Sequence, residues 1–323
     1  MQQELAYIYE VYQCGSFSKA AAKLYMTQPA LSIAIRKMEE RIGYPIFSRH
    51  TKPLQLTEAG EIYVRNILQM KQLDENLANE LQDLAHLDEG ELHVGGTQYF
   101  NAHVLPTTLK KYMAAYPKVD LALLEDNSGK IDHNLEDGSV DITLHCGSFD
   151  TNKYVGYGVF RDYLLLAVPK SFALNKKYKD YRLTKKDVEN GTFLSTSIPA
   201  IKLNWFQEEP FLILTKSNNL RQRALSMFQQ AGFAPKIRFS VEQLETSVYL
   251  ANAQLGATFL SDKIIRDAQA TNLFYYKLAF PEATRDYKAI LHKNSYHSHI
   301  MKTFITMVQD TWTGSHNEYR TTF

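Results

Sequence analysis

The hydrophobic period of this chain changes at Gly90. Before it, apolar residues recur every three or four positions and read as helices. After it, short apolar runs such as Leu92-His93-Val94-Gly95, Val119–Leu124 and Val140–Leu144 alternate with helical stretches. That alternation predicts βαβ units and a largely parallel sheet. A second series follows, with strands at 163–168, 211–214, 237–240 and 257–260. The region 170–209 gives no clear pattern. Two periods in series imply a helical head and an α/β body, and 323 residues suit two or three domains.

Charge divides at nearly the same place. Residues 1–56 hold seven basic and four acidic side chains, a net +3, and residues 57–91 hold two against nine, a net −7. A basic module followed by an acidic one suggests different partners. The longest apolar run, Tyr163–Val168, is far short of the roughly 20 residues of a membrane helix, and no secretory leader is visible. Cys14 and Cys146 form neither a disulfide framework nor a zinc site, which fits a reducing cytoplasm. No cofactor motif is found: Gly95-Gly96 lacks the rest of a dinucleotide fingerprint, and His297-x-His299 lacks a third metal ligand.

In the head, Leu5, Ile8, Tyr9 and Tyr12 mark a first helix ended by Gly15. Ser16 or Ser18 caps a second, alanine-rich one. After a break at Tyr25-Met26, Thr27 caps a third, with Pro29 in the first turn, where proline is tolerated. Leu31, Ile35, Met38 and Ile42 form its apolar stripe, with Gln28, Ser32 and Arg36 off it. This is either a three-helix bundle with solvated charges or a helix-turn-helix. In the latter, Thr27, Gln28, Pro29, Ser32 and Arg36 face the major groove of double-stranded DNA. Residues 45–56 read as a two-stranded wing whose Arg49 and Lys52 reach phosphates or the minor groove.

The segment Ser16–Gly60, SFSKAAAKLYMTQPALSIAIRKMEERIGYPIFSRHTKPLQLTEAG, resembles the DNA-binding region of the LysR-type transcriptional regulators. It departs from that family at Ile33 and Ala34, where a basic residue and a glutamine are often found. The pieces GELHVGG, LEDGSVDITL, LLLAVP, PFLILTKSNNLRQRALSMFQQAGF and LANAQLGATFLS resemble the family's effector domain. The resemblance implies an α/β protein with an N-terminal all-α winged helix-turn-helix and a two-lobed effector domain similar to periplasmic binding proteins. The expected domains are 1–56 (DNA-binding), 57–90 (linker helix), 91–308 (effector-binding) and a tail at 309–323. Within the effector domain, lobe one is expected at 91–162 and 268–308, and lobe two at 163–267.

The linker carries Tyr63, Ile67, Met70, Leu77, Leu81 and Leu84 at spacings of four and three, with Asp74 in the remaining slot. Such a stripe either packs on its own domain or forms a dimer seam. The resemblance implies antiparallel pairing through 57–88, assembly into a homotetramer, and RNA polymerase as a further candidate partner. Effectors bind at strand ends in such sheets. There stand Thr97, Gln98, Ser128, Thr215, Ser217 and Glu242, and the resemblance matches Thr97, Gln98, Ser128 and Thr215 to effector positions. Hydroxyls and amides suit a small polar ligand, an amino acid or organic acid; they also serve as helix caps. Glu242 suits an amine and Lys216 a carboxylate. His145-Cys146 is no catalytic pair, because neighbours on a strand point to opposite faces. The leading reading is a DNA-binding regulator switched by a ligand. The alternatives are a solute-binding protein of the transport class and an enzyme on the two-lobed scaffold, for which no convincing catalytic set is seen.

Overall fold

The computed structural model describes residues 3–48, 54–85, 88–216 and 218–312, and the backbone but not the side chain of Ser128. The chain divides into two compact units, Met1–Ala85 and His86–Phe323.

In the first unit, α1 (Gln3–Cys14), α2 (Phe17–Lys23) and α3 (Gln28–Ile42) precede a small antiparallel wing, β1 (Phe47–Ser48) with β2 (Gln55–Leu56), and then the long α4 (Glu58–Leu84). Ser16 and Thr27 cap α2 and α3, and Gly43 ends α3 in the left-handed conformation with φ 83°. Ile8, Val11, Ala20, Leu31, Ile35 and Met38 close the core with Ile46, Phe47, Val64 and Ile67. Glu39 is buried in this unit, and its Oε1 accepts from the amides of Ile46 (2.8 Å) and Phe47 (3.3 Å), fixing the root of the wing. Gly60 lies so close to that root that a Cβ there would stand 2.1 Å from the Ile46 carbonyl oxygen. Thr57 caps α4 by accepting from Gly60 N at 3.0 Å and donates to the Pro45 carbonyl.

α4 stops at Leu84, capped by Ala85, and Glu89 already belongs to a strand. The expected end at 88–90 is therefore too late. The helix serves two surfaces. Ile67 is 1% exposed and packs in the unit's core, whereas Leu77 and Leu84 are 59% and 77% exposed. Own-domain packing thus holds for the first turns alone.

The second unit begins with β3 (Glu89–Gly96), a π-helical turn (Phe100–Val104), α5 (Pro106–Ala115), β4 (Lys118–Glu125), α6 (Ser128–Glu136) and β5 (Ile142–His145). The long β6 (Tyr154–Pro169) follows, then α7 (Leu174–Lys177), β7 (Arg182–Leu183) and α8 (Lys185–Glu189). Next come β8 (Pro210–Leu214), α9 (Asn219–Gln230), β9 (Lys236–Val241), α10 (Leu244–Asn252), β10 (Thr258–Ser261) and α11 (Asp262–Asp267). β11 (Leu273–Lys277), β12 (Thr284–His292) and α12 (His299–Trp312) complete it. Among the described residues, eight strands form one sheet in the order β4-β3-β5-β12-β6-β11-β7, with β10 also on β6. β3 pairs in parallel with β4 and β5, and β8 with β9, but β6, β10, β11 and β12 pair antiparallel. The sheet is mixed, not largely parallel, because β6 runs through both lobes and its partners return along it.

Two apolar clusters define the lobes. Leu92, Val94, Phe100, Tyr112, Ile142 and Phe304 belong to the first, and Leu165, Phe211, Phe228, Leu260 and Tyr276 to the second. Ala270, Leu273, Tyr275, Leu278 and Ala283 pack in the second cluster as well. The chain thus rejoins lobe one at β12, near Thr284, not near 267. β11 pairs with Leu165–Pro169 of β6, which keeps residues 270–283 in lobe two. The tail boundary also moves. Gln309 is buried and donates to the Gly158 carbonyl, and Trp312 Nε1 donates to the Val104 carbonyl, so α12 is docked through Trp312. In the region without a clear pattern, Thr184 and Asp187 form a reciprocal cap on α8, and the Tyr178 and Trp205 rings stack at 4.2 Å.

Candidate nucleic-acid interface and effector cleft

α3 has the build of a reading helix. Its stripe of Leu31, Ile35 and Met38 is buried, which turns the opposite face outward. Thr27 Oγ1 accepts from Ala30 N at 3.4 Å. Thr27, Gln28, Pro29 and Arg36 are exposed and Ser32 is half-buried. Arg49 and Lys52 lie outside the described residues. Two exposed cations of the basic head are held in surface ion pairs: Arg41 pairs with Glu4, and Lys23 with Glu10 at 2.8 Å. Two residues noted in the sequence, at the break and at the departure from the family pattern, have exposed side chains. Tyr25, 99% exposed with φ 54°, forms the tight break before α3, and Ile33 stands on the outward face. An apolar residue there offers contact to a thymine methyl group.

The second unit has a cleft between its lobes. An inner cavity of about 100 Å³ is lined by Thr97, Gln98, Thr143 and His145 from lobe one and by Asn218 and Gln243 from lobe two. An outer cavity of about 240 Å³ shares Thr97, Gln98, Asn218 and Gln243 and adds Glu125, Asp126, Asn127 and Glu242. Thr97, Gln98 and Glu242 therefore meet, as expected for strand ends facing a common crevice. Thr215 lines neither cavity; its hydroxyl donates to Glu242 at 2.6 Å. Ser128 opens α6, and its side chain is outside the description, as is Ser217 altogether. Asn127, not Ser128, caps α6 by accepting from Lys130 N.

Sequence reasoning missed Thr143, Asn218 and Gln243, which share no motif and meet only through the fold. The Thr143 hydroxyl is 1% exposed and has no hydrogen-bond partner among the described residues. Asp132 also lines the inner cavity, 3.7 Å from His145, and burial raises its carboxyl above the ordinary range.

Beside the cleft, β6 and β12 carry a buried polar cluster. β12 places Arg285 opposite Asp162 of β6. Asp162 is 0% exposed; its two oxygens take Arg285 Nε (2.7 Å) and Nη2. Tyr99, next to Gln98, donates to Asp162 at 2.7 Å, and Ser261 Oγ donates to the same oxygen at 3.1 Å. On another side of the lobe junction, His103 meets Glu245 at 2.8 Å and Asp267 at 2.9 Å. The hydrogen bond to Glu245 raises the imidazole pKa above its ordinary value, against the effect of burial.

The sequence matches the family profile "Bacterial regulatory helix-turn-helix protein, lysR family" over residues 2–61 and the "LysR substrate binding domain" over residues 85–313. YcgK of Bacillus subtilis (strain 168), an uncharacterized HTH-type transcriptional regulator, is 23% identical over 307 residues, covering 95% of this chain and 93% of its own. The fold is similar to full-length CbnR complexed with its target DNA (TM-score 0.58, 17% identity, 96% of this chain and 99% of that one). It is also similar to the effector-binding domain of QuiR in complex with shikimate (TM-score 0.56, 16% identity, 71% and 99%). A helix-turn-helix head at 2–61 sets the chain apart from a transport-class binding protein. With both profiles in order along nearly its full length, the chain belongs to the LysR family of DNA-binding transcriptional regulators, which carry a ligand-binding effector domain.

Proposed function

We propose that this regulator reads an operator with α3, works as a dimer joined through α4, and changes its hold on DNA when a small polar effector enters the cleft. The observation that carries the reading is the outward face of α3, with Gln28, Pro29 and Arg36 exposed opposite a buried stripe. Gln28 and Ser32 read base edges, Ile33 meets a methyl group, Thr27, Pro29 and Arg36 face the same major groove, and Arg49 and Lys52 reach phosphates or the minor groove. The exposed Met70, Leu77, Leu81 and Leu84 form the dimer seam, and two dimers make a tetramer. RNA polymerase is a further partner, and the protein acts in the cytoplasm.

The effector contacts Thr97, Gln98 and Glu242, with the end of α6 at Ser128 and the loop at Thr215 and Ser217 beside them. It shifts the lobe spacing by its difference in affinity for the two spacings and by nothing else. Linked through α4 to a paired unit, a changed spacing alters how two recognition helices fit half-sites roughly 34 Å apart.

Competition gel shifts test the DNA reading. Gln28→Ala is expected to cost about 1–3 kcal/mol on the specific operator and little on random DNA. Equal loss on both would end its base-reading role. Thr97→Val tests the cleft: the effector's influence should vanish while ligand-free DNA binding stays. An unchanged response would move the effector site elsewhere.

A further inference from the structure

We infer that the effector carries a cationic nitrogen, an ammonium or guanidinium, held between carboxylates that the two lobes present to each other. The inference rests on the cleft being the effector site and adds the charge of its ligand. The outer cavity takes Glu125 and Asp126 from the end of β4 and Glu242 from the chain after β9. Among the described residues its remaining lining side chains are hydroxyls and amides, and no Lys or Arg lines it. In the inner cavity, Arg285 is the one Lys or Arg among the described lining residues, and its charge is taken up by Asp162.

The carboxylates have local partners, but these leave the acidic character of the wall in place. Asn101 Nδ2, a neutral donor, lies 3.3 Å from Glu125. Lys130 stands 3.3 Å from Asp126, one helical turn away and 68% exposed in its side chain, where an ion pair is weak. Thr215 donates to Glu242. The helix starts at α6 and α9 would favour an anion. Asn127 and Asn218 already accept from Lys130 N (3.1 Å) and Leu220 N (2.9 Å), so part of that potential is met within the protein.

The second, independent sign of a ligand is Thr143. Its buried hydroxyl has no partner among the described residues and lines the inner cavity, ready for a polar group at the other end of the molecule. Leaving such a group unsatisfied is costly, and a ligand atom removes that cost. Charge also supplies the switch. Carboxylates of like sign on opposite walls favour a wider spacing, and a cation between them favours a narrower one.

The test uses the full-length chain in thermal-shift and calorimetric titrations. Agmatine, putrescine, L-arginine and L-lysine form one panel; succinate, citrate and benzoate form the other. At least one cationic probe is expected to raise the melting temperature, as a ligand of the folded state must. Glu242→Gln, which keeps an acceptor for Thr215, and Asp126→Asn should each weaken that probe at least tenfold. Glu209→Gln, just before the far end of β8, should leave it unchanged. Stabilisation by carboxylate probes alone, lost in Thr97→Val, overturns the charge assignment and leaves the cleft reading standing. Cation binding that ignores Glu242→Gln, Asp126→Asn and Thr97→Val overturns both. Absence of any effect from the cationic panel overturns the assignment.

Discussion

Helix α3 and the cleft between the lobes are built in opposite ways. α3 takes its functional face from one run of 15 residues, where capping, periodicity and burial are all local. The cleft draws on the ends of β3, β4 and β5 in one lobe and on the approaches to α9 and α10 in the other. A local site survives as long as its helix does. A distributed site depends on whatever holds the lobes, here the Asp162–Arg285 pair with Tyr99 and the His103 brace.

The largest expected effect strikes that pair. Asp162→Ala leaves Arg285 buried without its counterion, which costs about 3–5 kcal/mol. Thermal unfolding of the effector unit should show it, while DNA-binding helicity stays. An unchanged melting temperature would mean the lobes are held by packing alone. Next is the exposed half of α4. Leu77→Asp with Leu81→Asp should weaken self-association at least about a hundredfold, near 2.7 kcal/mol, with Val64 and Ile67 still packed at the other end. Sedimentation reads it, and an unchanged mass would remove this face as the seam.

A smaller effect sharpens the local side of the comparison. Glu39→Ala strips the acceptor from the Ile46 and Phe47 amides and should cost about 1.5–3 kcal/mol. Hydrogen exchange at those amides reports it, and only the wing and α3 should respond. The smallest effect is pH-dependent. The folded pKa of His103 is raised above 6.5, so its contribution is fully present below about 6.5 and fades as pH rises through the folded value. Against His103→Asn, the wild type should gain up to about 1 kcal/mol at low pH, the gap closing as the imidazole loses its proton. A gap that widens with pH would contradict the brace.

Much of the first unit was legible because its determinants are neighbours in sequence. Ser16, Thr27, Gly43 and Thr57 cap or end helices within a few residues of themselves. The role of Gly60 was visible only as a motif letter; its cause is the Ile46 carbonyl 14 positions earlier. In the second unit most strands and helices fell where apolar runs placed them. β3, β4, β5, β8 and β9 pair in parallel as expected, but the partners of β6 run antiparallel, because an apolar run fits a parallel or an antiparallel neighbour equally well. Thr97 and Gln98, which follow a strand, line both cavities, while Thr215, which also follows a strand, lines neither and donates to Glu242.

The sequence by itself determined the two-part plan, the capped recognition helix and the family, since these rest on period, caps and contiguous motifs. It also fixed a hydrophobic stripe along α4 without saying what covers it. Tertiary structure alone decided that this stripe is buried to Ile67 and bare from Met70 onward, and that β12 rather than α11 returns the chain to lobe one. It alone set Arg285 against Asp162, 123 positions away, and turned three carboxylates toward one crevice. Contacts between distant segments depend on strand order and lobe packing, and no local spacing encodes them.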